Sequence, residues 1–241
     1  VSVSVFILLA VGALFAALLS GVAGVGGGLI YLPFLAEGIG LRKAIPVLAC
    51  LLLVGNLSRI YFSRHELRWD IAGRFLIGTI PGAFVGALLY TILSATVIAR
   101  AVGIFLLIYV VLAVARIQWP RRADLRQLPY VGGVAGLVSA IIGGSGPVIA
   151  PFCLRFGLVK GAFLSTDAIV AASMHLVKIA VYGQARLLTP QDLPYILPLA
   201  ALMILGTWIA TIILTRINEN IFRMIVTFLL AVIGLRFIFA G

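Results

Sequence analysis

The chain has 241 residues, of which 63% are hydrophobic and only 10% charged, whereas an ordinary soluble domain is about half apolar and a quarter charged. Its formal charge of +11 would suggest nucleic acid in a soluble protein, but here most of the excess Lys and Arg lies in short loops between apolar runs, where cytoplasmic retention accounts for it. Composition therefore excludes a soluble domain and predicts an all-α polytopic membrane protein, with the lipid bilayer as partner and no nucleic acid.

A spanning helix takes about 20 apolar residues. In chain order the apolar runs predict helices over 3–23, a short run 29–36, then 44–62, 71–93 and 97–115; after a linker come 128–142, a short run 148–156, 162–181, 193–214 and 221–239. The start of the chain has no basic n-region or small-residue cleavage site, so no cleaved signal peptide is expected. Trp69 and Trp119 sit beside loops, as interfacial anchors do. Cys50 and Cys153 lie far apart in apolar surroundings, which predicts packing roles and no metal site. Gly82 with Gly86, and Gly132 with Gly136, have the four-residue spacing that lets helices pack closely. No cofactor is expected.

The second half repeats the first at a shift of about 118 to 124 residues. GVGGGLIYLPF from Gly24 to Phe34 falls on GGSGPVIAPF from Gly143 to Phe152, pairing Gly26, Gly28 and Pro33 with Gly144, Gly146 and Pro151. Asn56 and Arg59 fall on His175 and Lys178, Gly82 on Gly206, and Arg100 on Arg223. The expected organisation is a first transmembrane repeat over 1–116, a cytoplasmic linker over 117–127 and a second repeat over 128–241. Each repeat has a glycine-broken or re-entrant helix pair plus three long transmembrane helices, an arrangement characteristic of secondary transporters.

Loop charge bears on whether the repeats are parallel or inverted. If each short run turns back as a re-entrant hairpin, one side of the membrane collects Arg64, Arg68, Arg74, Arg116, Arg121, Arg122, Arg126, Arg155, Lys160 and Arg216. The other side then keeps Arg42, Lys43, Arg100, Arg186 and Arg236. If the short runs complete their spans, the asymmetry nearly vanishes. The positive-inside rule favours inverted repeats with the linker in the cytoplasm.

Broken backbone at membrane depth is tolerated only inside protein or around a water-filled cavity, so the paired breaks mark a candidate substrate site at Gly26, Gly27, Gly28, Gly144, Ser145 and Gly146. Helix N-termini favour anions, and Ser145 adds a hydroxyl. Asp167, His175 and Lys178 lie inside one apolar run, where ionisable side chains are costly and usually face a cavity. His175 and Lys178 share a helical face, with Asp167 about two turns away on the same side. Arg59 and Asn56 are their counterparts in the first repeat. Two helix N-termini with Arg59 and Lys178 predict an anionic ligand, with Asn56 and His175 adding hydrogen bonds; Tyr31, Phe34 and Phe152 are candidates to line an organic tail. Snorkelling of Arg59 and Lys178 to the interface, and a packing role for His175, are the competing explanations. Asp167 and His175 are the proton-coupling candidates.

With GVGGGLIYLP and GGSGPVIAP in view, the chain resembles the 4-toluene sulfonate uptake permease family, also described as TauE/SafE sulfite exporter-like permeases, over nearly its whole length. The resemblance implies a permease in a bacterial inner membrane moving a sulfur-containing anion such as 4-toluenesulfonate, sulfoacetate or sulfite without ATP hydrolysis. It carries the glycine signatures onto Gly26, Gly27, Gly28, Gly144, Ser145 and Gly146; the second motif departs from a triple glycine at Ser145 and Pro147. The alternatives are an intramembrane enzyme acting on an anionic lipid head group and a non-transporting partner subunit. The enzyme lacks a clustered acid–base set, a Walker A motif, HExxH or GxSxG in this sequence. A homodimer is compatible with the sequence, which sets neither direction nor oligomeric state.

Overall fold

The computed structural model describes residues 2–23, 27–115, 124–158, 160–213 and 219–239. Among them it contains ten α-helices: α1 (Val3–Ala23), α2 (Gly27–Ile39), α3 (Leu41–Ser63), α4 (Trp69–Ile92), α5 (Ala95–Val114), α6 (Leu128–Ile142), α7 (Gly146–Arg155), α8 (Lys160–Gln184), α9 (Leu193–Ile213) and α10 (Glu219–Phe239). Each answers to one apolar run in the sequence. Six stretches of the described residues are long and apolar enough to cross a bilayer, within α3, α4, α5, α6 with its preceding turn, α8, and α9 with its preceding turn. The protein is a multi-pass, all-α membrane protein.

Local contacts fix the direction of each helix. The Tyr31 hydroxyl of α2 donates to the Leu9 carbonyl at 2.9 Å, Phe34 packs on Gly12, and Gly38 lies against Val5 and Leu9. Later residues of α2 therefore sit beside earlier residues of α1, so the chain turns back after its glycine break. At one end of α3, Tyr90 donates to the Arg42 carbonyl at 3.0 Å and stacks on Tyr182 of α8, with ring centroids 5.1 Å apart. At its other end Glu66, just past α3, packs on Gly161 near the start of α8. Thus α3 and α8 are antiparallel. So are α5 and α10, where Gly103 meets Ile238 and Leu107 meets Gly234. In contrast α4 and α6 rise together, with Phe75 beside Gly132, Thr79 beside Gly136 and Gly86 beside Leu137.

The closest packing joins the two halves of the sequence. Helix α4 lies on α6, and the glycines at both GxxxG positions bring backbone against backbone: a methyl on Gly136 would fall 2.5 Å from the Thr79 carbonyl oxygen and 2.6 Å from the Ala83 nitrogen. Helix α1 lies on α9, α3 on α8, and α5 on α10. Two four-helix groups result, each with a helix lent by the other half: α1, α2, α3 and α9 in one, and α6, α7, α8 and α4 in the other. The buried apolar residues form two clusters. One is built on Leu9, Ala13, Leu29, Leu32, Leu48 and Leu199 and runs on into Ala87, Tyr90, Ala140 and Tyr182 of α4, α6 and α8; the other, with Phe75, Ala135, Ile149, Cys153, Val170 and Met174, stays within the second group. Cys153 is a buried packing residue, and Cys50 is half-buried against the first core.

The face that carries the linker also carries the α3–α4 connection and the start of α8. The opposite face is pinned by polar contacts. Lys43 pairs with Asp192 at 2.6 Å, and Asp192 also accepts from Tyr195 at 2.7 Å and from the Thr189 amide at 2.9 Å. Arg42 donates to the carbonyls of Leu93 at 2.7 Å and Thr91 at 2.8 Å. Arg236 pairs with Glu37.

Candidate functional site

The α6 helix stops at Gly143, which adopts the left-handed conformation (φ 96°) and whose amide returns to the Ser139 carbonyl at 2.9 Å. A side chain is strained there, so glycine lets the chain leave α6 and restart as α7 after Ser145. The start of α2 comes up against this break: a methyl on Gly28 would lie 3.3 Å from the Gly143 oxygen, and one on Gly144 would lie 3.3 Å from Leu29. Two breaks that are more than a hundred residues apart in sequence thus meet inside the protein. Gly28 also touches Leu48 and Leu52, near the middle of α3, so the meeting point is at mid-membrane depth.

A cavity of about 60 Å³ opens beside it. The first group of helices contributes Ala17, Gly27, Gly28, Leu29, Leu52, Gly55, Asn56, Arg59, Met203 and Thr207; the second contributes Gly144, Ser145, Gly146, Pro147, Asp167, Ala171 and His175. Arg59 lies in the last turns of α3, Asp167 in the first third of α8 and Thr207 in the last third of α9, so the cavity extends from the midplane toward the linker face. Toward the other face Ile45, Leu48, Tyr90 and Tyr182 are fully buried, beneath the Lys43–Asp192 pair.

Most of the sequence-predicted site residues therefore converge. Gly27, Gly28, Asn56, Arg59, Gly144, Ser145, Gly146, Asp167 and His175 all line this one cavity; Gly26 lies outside the described residues, as do Arg116, Arg121, Arg122, Arg216 and Trp119. Lys178 goes elsewhere. Its ammonium is completely buried and donates to the Ser139 carbonyl at 3.2 Å and the Ser139 hydroxyl at 3.0 Å. Ser139 is in the last turn of α6, where the helix dipole favours a cation, and its carbonyl accepts from Lys178 as well as from the Gly143 amide. Tyr182 does the same work one residue on, donating to the Ala140 carbonyl at 2.6 Å. The break in α6 thus takes Lys178 as its cap, while its counterpart Arg59 remains in the cavity wall. Tyr31, Phe34 and Phe152 do not line the cavity either: Tyr31 is held by Leu9, Phe34 packs on Phe15, and Phe152 lies under the Arg155 guanidinium.

The donors around the cavity are unequal. The first four amides of α2 lack intrahelical acceptors, and Gly27, Gly28 and Leu29 among them face it. In α7 Pro147 has no amide to give, and Val148 and Ile149 turn theirs back to the Ser145 carbonyl at 2.9 and 3.1 Å. The Ser145 side chain does not cap its helix, which leaves its hydroxyl to the cavity. Asp167 is 5% exposed and His175 3%, and neither Asp167 Oδ1 nor His175 Nδ1 has a hydrogen-bond partner among the described residues. Buried polar atoms are almost always paired, so these two are exceptions within the cavity lining. Arg59 and Asp167 are close enough to interact electrostatically. Sequence reasoning missed Gly55, Pro147, Met203 and Thr207. Thr207, next to the repeat-matched Gly206, was the one with a readable signal.

Residues 8–237 match the family model described as Sulfite exporter TauE/SafE. A protein of Haemophilus influenzae named "Probable membrane transporter protein" is 30% identical over 109 residues, covering 45% of this chain and 42% of that protein. A protein of Xylella fastidiosa with the same name is 36% identical over 81 residues, covering 32% of this chain and 31% of that protein. The matches thus span less than half the length of each relative. No solved structure matches.

Proposed function

Because this chain belongs to the sulfite exporter TauE/SafE family, whose relatives are named for transport and not for catalysis, we propose that it is a secondary permease for a small sulfur-containing oxyanion. The observation that carries the reading is the cavity where the two glycine breaks meet, lined by Arg59 and by the buried Asp167 and His175, each of which has a polar atom without a partner among the described residues. Amides of Gly27, Gly28 and Gly146, with the Ser145 hydroxyl, receive the anionic oxygens; Arg59 supplies the balancing charge; Asn56 and His175 give direction. Lys178 acts one step back, by holding the end of α6 in place.

Size favours a compact ligand. At roughly 10–15 Å³ per water on this measure, the cavity of about 60 Å³ takes about four to six non-hydrogen atoms, which suits sulfite or a sulfonate head. The aromatic ring of 4-toluenesulfonate needs a wider state than this cavity of about 60 Å³, and among the described residues no Phe, Tyr or Trp lines it.

Alternating access in this reading follows from the packing. The cavity lies between the group α1, α2, α3 and α9 and the group α4, α6, α7 and α8, each of which contributes one of its walls. These two groups, rather than residues 1–116 and 128–241 as such, are the bodies that rock. Inverted repeats are supported by the antiparallel counterparts α3 with α8 and α5 with α10, and by α2 turning back along α1. The loop charge then places the linker in the cytoplasm, and the conformation described is closed on the opposite side by Tyr90, Tyr182 and the Lys43–Asp192 pair.

The test is counterflow of labelled sulfite and methanesulfonate in proteoliposomes. Saturable exchange of chemically unchanged anion, lost in Arg59→Met and weakened in Ser145→Ala, is the expected result. Conversion of the ligand, or no exchange by folded protein, would overturn the reading.

A further inference from the structure

The anion site contains its own carboxylate. Asp167 faces the same small cavity as Arg59, is almost fully buried, and has one oxygen without a partner among the described residues. Like charges this close in a weakly polarisable interior repel strongly, so an ionised Asp167 and a bound oxyanion compete for Arg59. A protonated Asp167 does not compete; it adds an O–H donor to the site. We propose that Asp167 carries one proton with each anion, exchanging the Arg59–Asp167 attraction in the empty site for an Arg59–anion pair beside neutral Asp167 in the loaded one.

The inference rests on the permease reading and names its co-substrate. On the side where the site fills, Asp167 takes a proton from water as the anion takes Arg59. After the two helix groups rock, the anion leaves to water, Asp167 returns its proton to water, and the Arg59–Asp167 attraction is restored. Charge balances at each stage: one proton and one monovalent anion cross together, and neither the empty nor the loaded site carries a net charge from this trio. That keeps the moving site neutral at membrane depth, where an unbalanced charge is expensive.

The groups around Asp167 are compatible with this role. From α3 comes Arg59, from α7 the Cys153 thiol, and on α8 itself His175 lines the cavity, with Lys178 beyond it bound to Ser139. The α4 helix packs on α8, but its Asp70 is exposed and bound to Arg68 at 2.7 Å. The Arg68 amide lies 3.2 Å from the hydroxyl of Thr166, the neighbour of Asp167. The turn before α4 places Glu66 against Gly161, further down α8, with Arg64 and His65 exposed beside it. From α6 the polar contribution is Ser139, occupied by Lys178.

Calorimetric titration of the purified protein with methanesulfonate, whose charge is constant over the working range, reads this directly. Run in two buffers of different ionisation heat, it should show uptake of about one proton per anion bound, and above the titration of Asp167 the Kd should weaken by roughly tenfold per pH unit, as linkage of a single site requires. Asp167→Asn should remove both the proton uptake and the pH dependence; Asp167→Glu, which keeps a titratable carboxyl, should retain them and serves if the Asn variant does not fold. Binding without proton uptake by the unmodified protein would overturn the proton coupling alone. Uptake that survives Asp167→Asn and disappears in His175→Gln would overturn the assignment to Asp167, and dependence on Na⁺ instead of pH would do the same. Absence of any anion binding by folded protein would instead bring down the permease reading.

Discussion

Replacing Gly136 by alanine tests the packing that holds the second helix group together. Its methyl would stand 2.5 Å from the Thr79 carbonyl oxygen and 2.6 Å from the Ala83 nitrogen, whereas ordinary contact begins at 3.4 Å. Both neighbours are backbone and cannot turn aside, so α6 must retreat from α4 by about 0.9 Å, the difference between 3.4 and 2.5 Å. A gap of about 0.5–1 Å forfeits a quarter to a half of each dispersion contact along that stretch. Overpacking of this kind costs about 2 to 3 kcal/mol, which for a chain of this size corresponds to a fall in Tm of roughly 5 to 10 °C. Gly73→Ala is the control, since a methyl there has nothing within 4 Å and the better helix former adds up to about 1 kcal/mol. Thermal unfolding in detergent, followed by loss of helical signal and by aggregation, should separate the two variants clearly. Equal melting temperatures for Gly136→Ala and Gly73→Ala would refute the backbone contact between α4 and α6.

Arg59→Met should weaken methanesulfonate binding by about 10- to 150-fold, the loss of one charged hydrogen bond worth about 1.5–3 kcal/mol, measured by calorimetry; a change under threefold would remove Arg59 from the site. Lys178→Met should do the opposite, lowering stability by about 1 to 3 kcal/mol through loss of its hydrogen bonds to Ser139 while changing anion affinity far less than Arg59→Met; a larger affinity loss than Arg59→Met would put Lys178 at the anion. Asp192→Asn, which breaks the pair with Lys43, should loosen the closed face. In a protein with Cys50 and Cys153 replaced by Ala, Ile45→Cys should then label several-fold faster with a thiol reagent added on that side, and an unchanged rate would show that the pair does not hold the closure.

The number and placement of the helices were legible in the sequence because both signals are local. Apolar runs of bilayer length and the polar residues between them are read within a few turns, and each of the ten predicted runs became a helix. The glycine breaks were legible for the same reason, and their pairing followed from the repeat. The clustering of Asn56, Arg59, Asp167 and His175 was also foreseeable, since helical spacing and the cost of burying polar groups in lipid leave few other places for them.

What the sequence did not decide was the fate of chemically similar residues. Arg59 and Lys178 hold matching places in the repeat, yet one lines the cavity and the other is drawn to the end of α6, where its ammonium meets the Ser139 carbonyl and hydroxyl. The partners of α4 and α9 were equally invisible. The GxxxG spacing of α4 and the apolar surfaces of both say that a helix packs there, but which helix depends on the shapes of all the others, and the result lends each to the opposite half. Sequence fixes the elements through interactions along one chain segment; the cavity, its lining and the bodies on either side of it arise from contacts between segments far apart, which only the folded arrangement brings together.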